Sequence, residues 1–294
     1  MNDRSRGETV GGVTDIAIVI LTYNEEANIA QAVRSVRGWA KQVFVFDSFS
    51  TDRTVEIARE LGCEVVQHRF EDYGKQRNAS LDLLPIQTEW VFFLDADEWL
   101  PSDLKHEIST RIAERPRENG FYAKRRFIWE GRWVRRGYYP VWILRLFRHG
   151  KGRCEDRAVN EHIIVDGDTG RLRADFIHED HSGVDAWIAK HIRYAAREAA
   201  AIDGARDGEA EATPFGSQAQ RARWLRHRVW NELPPLVRPF IYFTYRTVIR
   251  GGVLDGASAL SYHVLQALWF PILVDLKYLE MKRARRREGE SLGS

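Results

Sequence analysis

What most constrains this chain is a set of short apolar runs separated by amphipathic stretches in its first hundred residues. IAIVIL (16–21), QVFVFD (42–47), CEVVQH (63–68) and TEWVFFLD (88–95) each have the length and composition of a buried strand. Between them, EEANIAQAVRSVRGW places Ile29, Val33 and Val36 at helical spacing. STDRTVEIARELG offers Ser50 or Thr51 as a cap and Gly62 as a stop, and residues 75–84 read as a short helix. Buried strands alternating with amphipathic helices predict an α/β fold with a mostly parallel sheet. In such sheets ligands bind outside the carboxyl ends of the strands.

Those ends are polar. The first run leads into Thr22-Tyr23-Asn24-Glu25-Glu26, the second into Asp47-Ser48, and the fourth into Asp95-Ala96-Asp97-Glu98. A carboxylate at the end of an apolar run either lies in water or is neutralised by something positive. Asp47 at a strand end suits hydrogen bonding to the base or ribose of a nucleotide, although Asp47 and Asp52 would also serve to cap the next helix. Asp95 and Asp97 suit a divalent ion held against phosphate, Mg²⁺ or Mn²⁺; a solvated acidic turn before a helix near Pro101 is the plainer alternative. Glu98 has no evident role.

From about 120 the pattern changes to FYAKRRFIW, ILRLFR, NEHIIV and RLRADFIH, strands of a mixed or antiparallel extension. A helix follows Gly183. The expected organisation is a disordered leader (1–14), a catalytic domain (15–203, with halves 15–118 and 119–203), a linker (204–217) and a helical C-terminal region (218–294) broken at Pro234-Pro235 and Gly251-Gly252. Two cysteines, Cys63 and Cys154, exclude a disulfide framework and fit a reducing compartment. A net charge of +2 argues against a dedicated nucleic-acid binder. The leader lacks the apolar stretch of a secretory signal, so the chemistry is expected in the cytoplasm. No segment approaches the roughly 20 consecutive apolar residues of a membrane span; the nearest, Val264 to Val274, is interrupted by Gln266 and Pro271.

Four blocks in order, LTYNEEANIAQAVRSV, FDSFSTDRTVEIARELG, YGKQRNASL and WVFFLDADEWL, resemble those of family 2 inverting glycosyltransferases of the GT-A fold. Bacterial enzymes of lipopolysaccharide-core and exopolysaccharide assembly are the subgroup it looks most like. The resemblance implies that Thr22, Asn24 and Glu26 line a nucleotide pocket, that Asp47 reads the base, and that Gln76, Arg77 and Asn78 touch the ribose or diphosphate. It makes Asp95 and Asp97 the metal-binding pair, with Asp97 ahead of Asp95 as the direct ligand; His178 in FIHEDH could complete the site as a strand-end histidine does in some GT-A enzymes, with a plain surface loop as the alternative. It places the general base at Glu161, with Glu155 and Asp156 as rivals. Trp129, Trp133, Tyr138, Tyr139 and Trp142 offer faces for sugar stacking or for a core.

In the tail, Leu265, Leu268, Ile272, Leu276 and Leu279 recur at helical spacing with Trp269 and Tyr278 among them, and KRARRR (282–287) follows. An apolar, aromatic face beside a basic cluster suits the interface of an anionic membrane, with PFIYFTYRTVI as a second apolar surface; a helix packed on the domain or on a partner subunit is the alternative. The sequence thus predicts a metal-dependent inverting glycosyltransferase, peripheral on the inner face of the cell membrane, moving a sugar from a nucleotide donor (a UDP-sugar by default) to a saccharide or lipid-linked acceptor. A homo-oligomer is compatible with it. Two other readings are weighed: a haloacid-dehalogenase-like phosphatase with Asp95 as nucleophile, and a non-catalytic membrane adaptor that keeps the fold.

Overall fold

The computed structural model describes residues 12–155, 162–204 and 232–291. Most of the expected leader and linker, and all of Asp156–Glu161, lie outside them. The chain divides into two compact units, one of Met1–Arg126 and Val141–His181, the other of Phe127–Pro140 and Ser182–Ser294.

The first unit opens with β1 (Thr14–Thr22), α1 (Ile29–Val36), β2 (Ala40–Asp47), α2 (Thr54–Glu60), β3 (Glu64–Gln67), α3 (Tyr73–Leu83) and β4 (Trp90–Asp95). β5 (Glu98–Trp99), α4 (Ser102–Ala113), β6 (Gly120–Trp129), β7 (Arg132–Trp133), β8 (Trp142–Arg148), β9 (Gly152–Cys154), β10 (Ile163–Val165) and β11 (Thr169–Glu179) follow, with β7 and the last three residues of β6 belonging to the second unit. The sheet runs β3-β2-β1-β4-β8-β6-β11-β5, with β7 paired to the end of β6 and a separate β9–β10 ribbon. Strands β3, β2, β1 and β4 are mutually parallel, and β8 turns antiparallel against β4. This is the expected α/β architecture, with the antiparallel extension in the second half.

The apolar runs are continuous because both faces of the sheet are covered. Ile16, Ile18 and Ile20 pack with Val33 and Val36 of α1 and Leu104 and Ile108 of α4, whereas Ala17 and Val19 pack with Leu81 of α3. Register then aligns the strand ends. Thr22 pairs with Asp47, Asp47 with Gln67, and Leu21 with Asp95, so the polar residues share one carboxyl edge.

The second unit holds α5 (Gly183–Gly204) and the C-terminal helices. One cluster gathers Trp129, Val134, Trp187 and Tyr262; another sets Ala195 and Ala199 of α5 against Val274. Arg238 and Asp275, both almost fully buried, form an ion pair inside it. Part of the expected lipid-facing stripe of the tail is used in this packing. Leu265 and Trp269 join the first cluster and Tyr278 the second, while Leu276 stays exposed. One expectation is overturned. The helical run Ala257–Arg287 is 31 residues long and, by length and composition, apolar enough to cross a membrane. Counting uninterrupted apolar residues missed it, because the helix carries through Gln266 and Pro271. A π turn at Val264–Trp269 stands just before Pro271, where a widened turn accommodates the proline ring and its missing N–H.

Candidate active site

Three carboxylates leave the end of β4, and each meets a different environment. Asp95 accepts from Arg77 Nη2 at 3.0 Å on one oxygen and from Arg145 Nη2 at 2.7 Å on the other. Glu98 is fully buried; it accepts from Arg145 at 2.6 Å and from the Asp95 N–H at 3.0 Å. Burial works against the Asp95 charge, but the Arg145 and Arg77 guanidiniums outweigh it and hold this carboxyl far below the usual carboxylate range. The same pairing raises Arg145: burial lowers its pKa, and Asp95 and Glu98 more than reverse that. The positive partner that the acid-rich strand end requires is therefore Arg145, delivered by β8.

Asp97 is turned instead toward His178, whose Nδ1 lies 3.6 Å from its Oδ1 and 3.9 Å from Glu98 Oε1. The two-residue strand β5 makes this meeting, pairing antiparallel with β11 so that His178 stands opposite Glu98. Among the described residues no three His, Cys, Asp or Glu side chains form a group that could hold a metal by themselves. Asp97 and His178 are an oxygen and a nitrogen donor side by side, and Asp95 has committed both oxygens to arginine. That donor set fits a hard divalent ion only when further ligands arrive with it, which is how Mg²⁺ is commonly held, by one or two carboxylates and substrate phosphate.

At the neighbouring strand ends, Asp47 is fully buried and accepts four hydrogen bonds: from Thr22 Oγ1 (2.9 Å), the Ser50 N–H (2.9 Å), the Ser50 hydroxyl, and Gln67 Nε2 (3.0 Å). A carboxylate has about four lone-pair sites, so this one is fully used. Asn24, at φ 55°, accepts from the Thr51 N–H at 2.8 Å, and Glu26 accepts from the Arg53 N–H at 3.0 Å. Both side chains tie the loop after β1 to the loop after β2. Asp52 braces that second loop, accepting from the Thr54 N–H at 3.0 Å and the Glu26 N–H at 3.1 Å. Ser50 and Thr51 do not cap α2, which begins at Thr54.

The three consecutive residues of α3 diverge. Buried Gln76 contacts His68 Nδ1 and Ser48 Oγ, both at 3.0 Å; Arg77 reaches Asp95; Asn78 makes a two-way bond with the Cys154 backbone at 3.0 and 2.9 Å. The structure thus brings Thr22 to Asp47, Arg77 to Asp95, and His178 to Asp97. Asn24, Glu26 and Asn78 brace backbone. Glu161 lies outside the described residues, as does Asp156. Glu155 is described, 3.7 Å from His162 Nδ1.

Sequence reasoning missed Arg145 as a member of the site and left Glu98 unassigned. The signal was present: Arg145 is a charge inside a strand between two leucines, and an arginine buried there needs an acid. It also passed over Tyr23 and Phe49, which leave the ends of β1 and β2 more than half exposed. Trp129 is a core residue, set edge-on to Trp187 at 5.8 Å.

This architecture is that of a GT-A-like α/β fold, and the chain belongs to glycosyl transferase family 2, whose profile matches residues 17–179. An uncharacterized glycosyltransferase of Rickettsia typhi is 40% identical over 93 residues, 32% of this chain and 31% of that protein. The SPbeta prophage-derived glycosyltransferase SunS of Bacillus subtilis is 31% identical over 96 residues, 31% of this chain and 22% of its own. These matches cover no more than about a third of the curated relatives' length. Among solved structures, a mannosyltransferase from Pyrobaculum calidifontis, in complex with GDP-Man and Mn²⁺, superposes with a TM-score of 0.53. It covers 91% of this chain and 88% of its own at 17% identity, a likeness of fold. The family and the paired state of Asp95 together remove the phosphatase reading, since a carboxylate with both oxygens on arginine is a poor nucleophile.

Proposed function

We propose that the protein transfers a sugar from a nucleoside-diphosphate sugar to a saccharide or lipid-linked acceptor, with inversion at the anomeric carbon. The observation that carries this is the division of labour at the end of β4, where Asp95 is locked between Arg77 and Arg145 and Asp97 is turned to His178. Asp97 and His178 would hold a divalent ion, Mg²⁺ or Mn²⁺, which when bound supplies positive charge against the departing diphosphate. Arg77 and Arg145 fix Asp95 and add positive potential at the same edge. Thr22 and Asp47 form the base of the nucleotide pocket, and Gln76 fixes the ends of β2 and β3 beside it. Asn24 and Glu26 keep the two donor loops in register. Asn78 holds β9, whose chain leads toward Glu161, the base assigned from the sequence, which takes the acceptor hydroxyl's proton on the face opposite the leaving group.

UDP-sugars are the first donors to test and GDP-sugars the second. The setting that fits the sequence resemblance is cell-surface polysaccharide or lipopolysaccharide assembly in the cytoplasm, at the inner face of the cell membrane. A thermal-shift screen of nucleotide sugars with and without Mn²⁺ tests the donor reading, because a specific ligand stabilises the folded state by mass action. One donor is expected to raise the melting temperature in a Mn²⁺-dependent way, and Asp97→Ala to abolish both that shift and nucleotide release. Full turnover by Asp97→Ala would refute the site. Donor binding without transfer across a broad acceptor panel would favour the non-catalytic adaptor.

A further inference from the structure

The second unit exposes apolar side chains in an ordered array. Val237, Phe240, Ile241, Val248 and Ile249 are between 48% and 73% exposed, and Leu254 follows at 69%. Val237 and Ile241 stand four residues apart, and the adjacent pairs Phe240–Ile241 and Val248–Ile249 stand eight apart, along the helix Arg238–Thr244, its N-cap Val237 and the π turn Tyr245–Ile249 that continues it. In an α-helix a four-residue step overshoots one turn by about 40°. The wider π turn corrects that drift, so the row stays on one side.

Charge on this stretch has one sign. No acid occurs in the sequence between Glu232 and Asp255, while Arg238, Arg246 and Arg250 do. Arg238 is buried on Asp275, and Arg246 donates to the Gly137 carbonyl and to the Tyr242 hydroxyl. Arg250 is exposed and has no ion pair among the described residues. Asp255 is covered by Arg136 at 3.0 Å and its side chain is only 6% exposed, against 47% for Arg136. Among the described residues, the exposed charges from Val237 to Leu254 are therefore guanidiniums. The same unit ends in exposed Lys282, Arg283, Arg286 and Arg287.

We infer that this row, Val237 to Leu254, is a docking surface for a bilayer rich in acidic phospholipid, lying in the interface with Phe240, Ile241, Val248 and Ile249 among the upper acyl chains and Arg250 and Arg136 at the headgroup phosphates. Apolar burial and attraction of arginine to anionic lipid add in that arrangement. A second copy of the chain fits the surface less well. A two-fold contact sets each patch against itself and would bring guanidiniums on guanidiniums. The inference goes beyond the proposed transfer reaction and rests on no residue of that site.

The test is flotation of the full chain with phosphatidylcholine vesicles, with and without phosphatidylglycerol. Wild type is expected to float with the anionic vesicles and to be released by high salt. Val248→Asp/Ile249→Asp is expected to lower that binding about tenfold or more, since two apolar side chains no longer leave water. The circular-dichroism melt of the variant should match wild type. Arg250→Glu should lower binding to anionic vesicles and leave the weak binding to neutral ones unchanged. Equal flotation of the double variant and wild type would overturn the surface. So would retention through high salt, which would favour a span by Ala257–Arg287. Self-association that the double variant abolishes, without vesicle binding by wild type, would assign the surface to a second copy; vesicle binding that appears only after deletion of 205–231 would assign it to that segment.

Discussion

Both units bury charge, Arg145 with Glu98 in the first and Arg238 with Asp275 in the second, and they differ in how much apolar surface they gather on the outside. The first places charge inside: Arg145 and Glu98 are almost fully buried, and Asp95 is fixed between two guanidiniums. The second places apolar side chains outside, with Ile249 at 73% exposure beside an exposed Arg250. Each arrangement costs stability in isolation, since buried charge loses hydration and exposed apolar surface orders water. A fold keeps such costs where something else uses the feature. The first unit's internal charges build a site, and the second unit's external apolar row offers a surface.

The comparison is broken most severely by removing Arg145. Arg145→Met leaves buried Glu98 without its guanidinium and Asp95 with Arg77 alone, and loss of one partner from a buried ion pair costs about 3–5 kcal/mol. Denaturant unfolding should show it, with Glu98→Gln in the same background recovering part of the loss. If Arg145→Met unfolds like wild type, the buried network contributes nothing to stability.

Asp97→Asn comes next. Its partner His178 is no guanidinium, so the melt should hold while turnover falls by about 100-fold or more, on the scale of losing one preorganised electrostatic contact. Equal losses of stability and activity would make Asp97 another member of the Arg145 network.

Acid separates the units more gently. His263 is fully buried, and burial together with Arg246 holds its imidazole below the ordinary 6.5, Asp255 opposing. A depressed folded value favours the neutral ring, so its contribution to stability is whole above about pH 6.5 and drains away as pH falls through the lower folded value. Asp95 is also depressed, and its contribution is whole above the 3.8 of a free aspartate and is lost progressively as pH falls below it. Hydrogen exchange followed by mass spectrometry should therefore show protection around Ala257–His263 weakening from about pH 6.5 downward while β4 is unchanged. His263→Gln should remove that slope. The smallest effect belongs to Val248→Asp/Ile249→Asp, which should shift stability by no more than about 0.5 kcal/mol, as befits exposed positions.

How much of this was legible follows from the physics of each element. Apolar runs such as IAIVIL announce strands because both sides of them are covered, and the strand-end acids announce a site because an α/β sheet leaves its carboxyl edge open. The Arg145 contact was not legible. It joins β8 to the end of β4 across about fifty residues of chain, and only sheet order sets which strands are neighbours. The roles of Asn24, Glu26 and Asn78 were hidden for a related reason. Their hydrogen bonds go to backbone 27 to 76 residues away, and a motif does not distinguish a side chain that touches a ligand from one that holds the loop that does. The tail misled in its own way. Helical spacing of Leu265, Trp269 and Tyr278 shows that one face is apolar, and says nothing about whether protein or lipid covers it.

The Arg145–Glu98 pair has a consequence for the order in which ligands arrive. Three carboxylates stand at the end of β4 with two guanidiniums among them, so these five side chains sum to a formal charge of only about minus one. An edge so nearly balanced has little hold on a bare cation and little repulsion for an anionic diphosphate. For the proposed transfer, that favours random or concerted loading of donor and ion over a metal-first sequence.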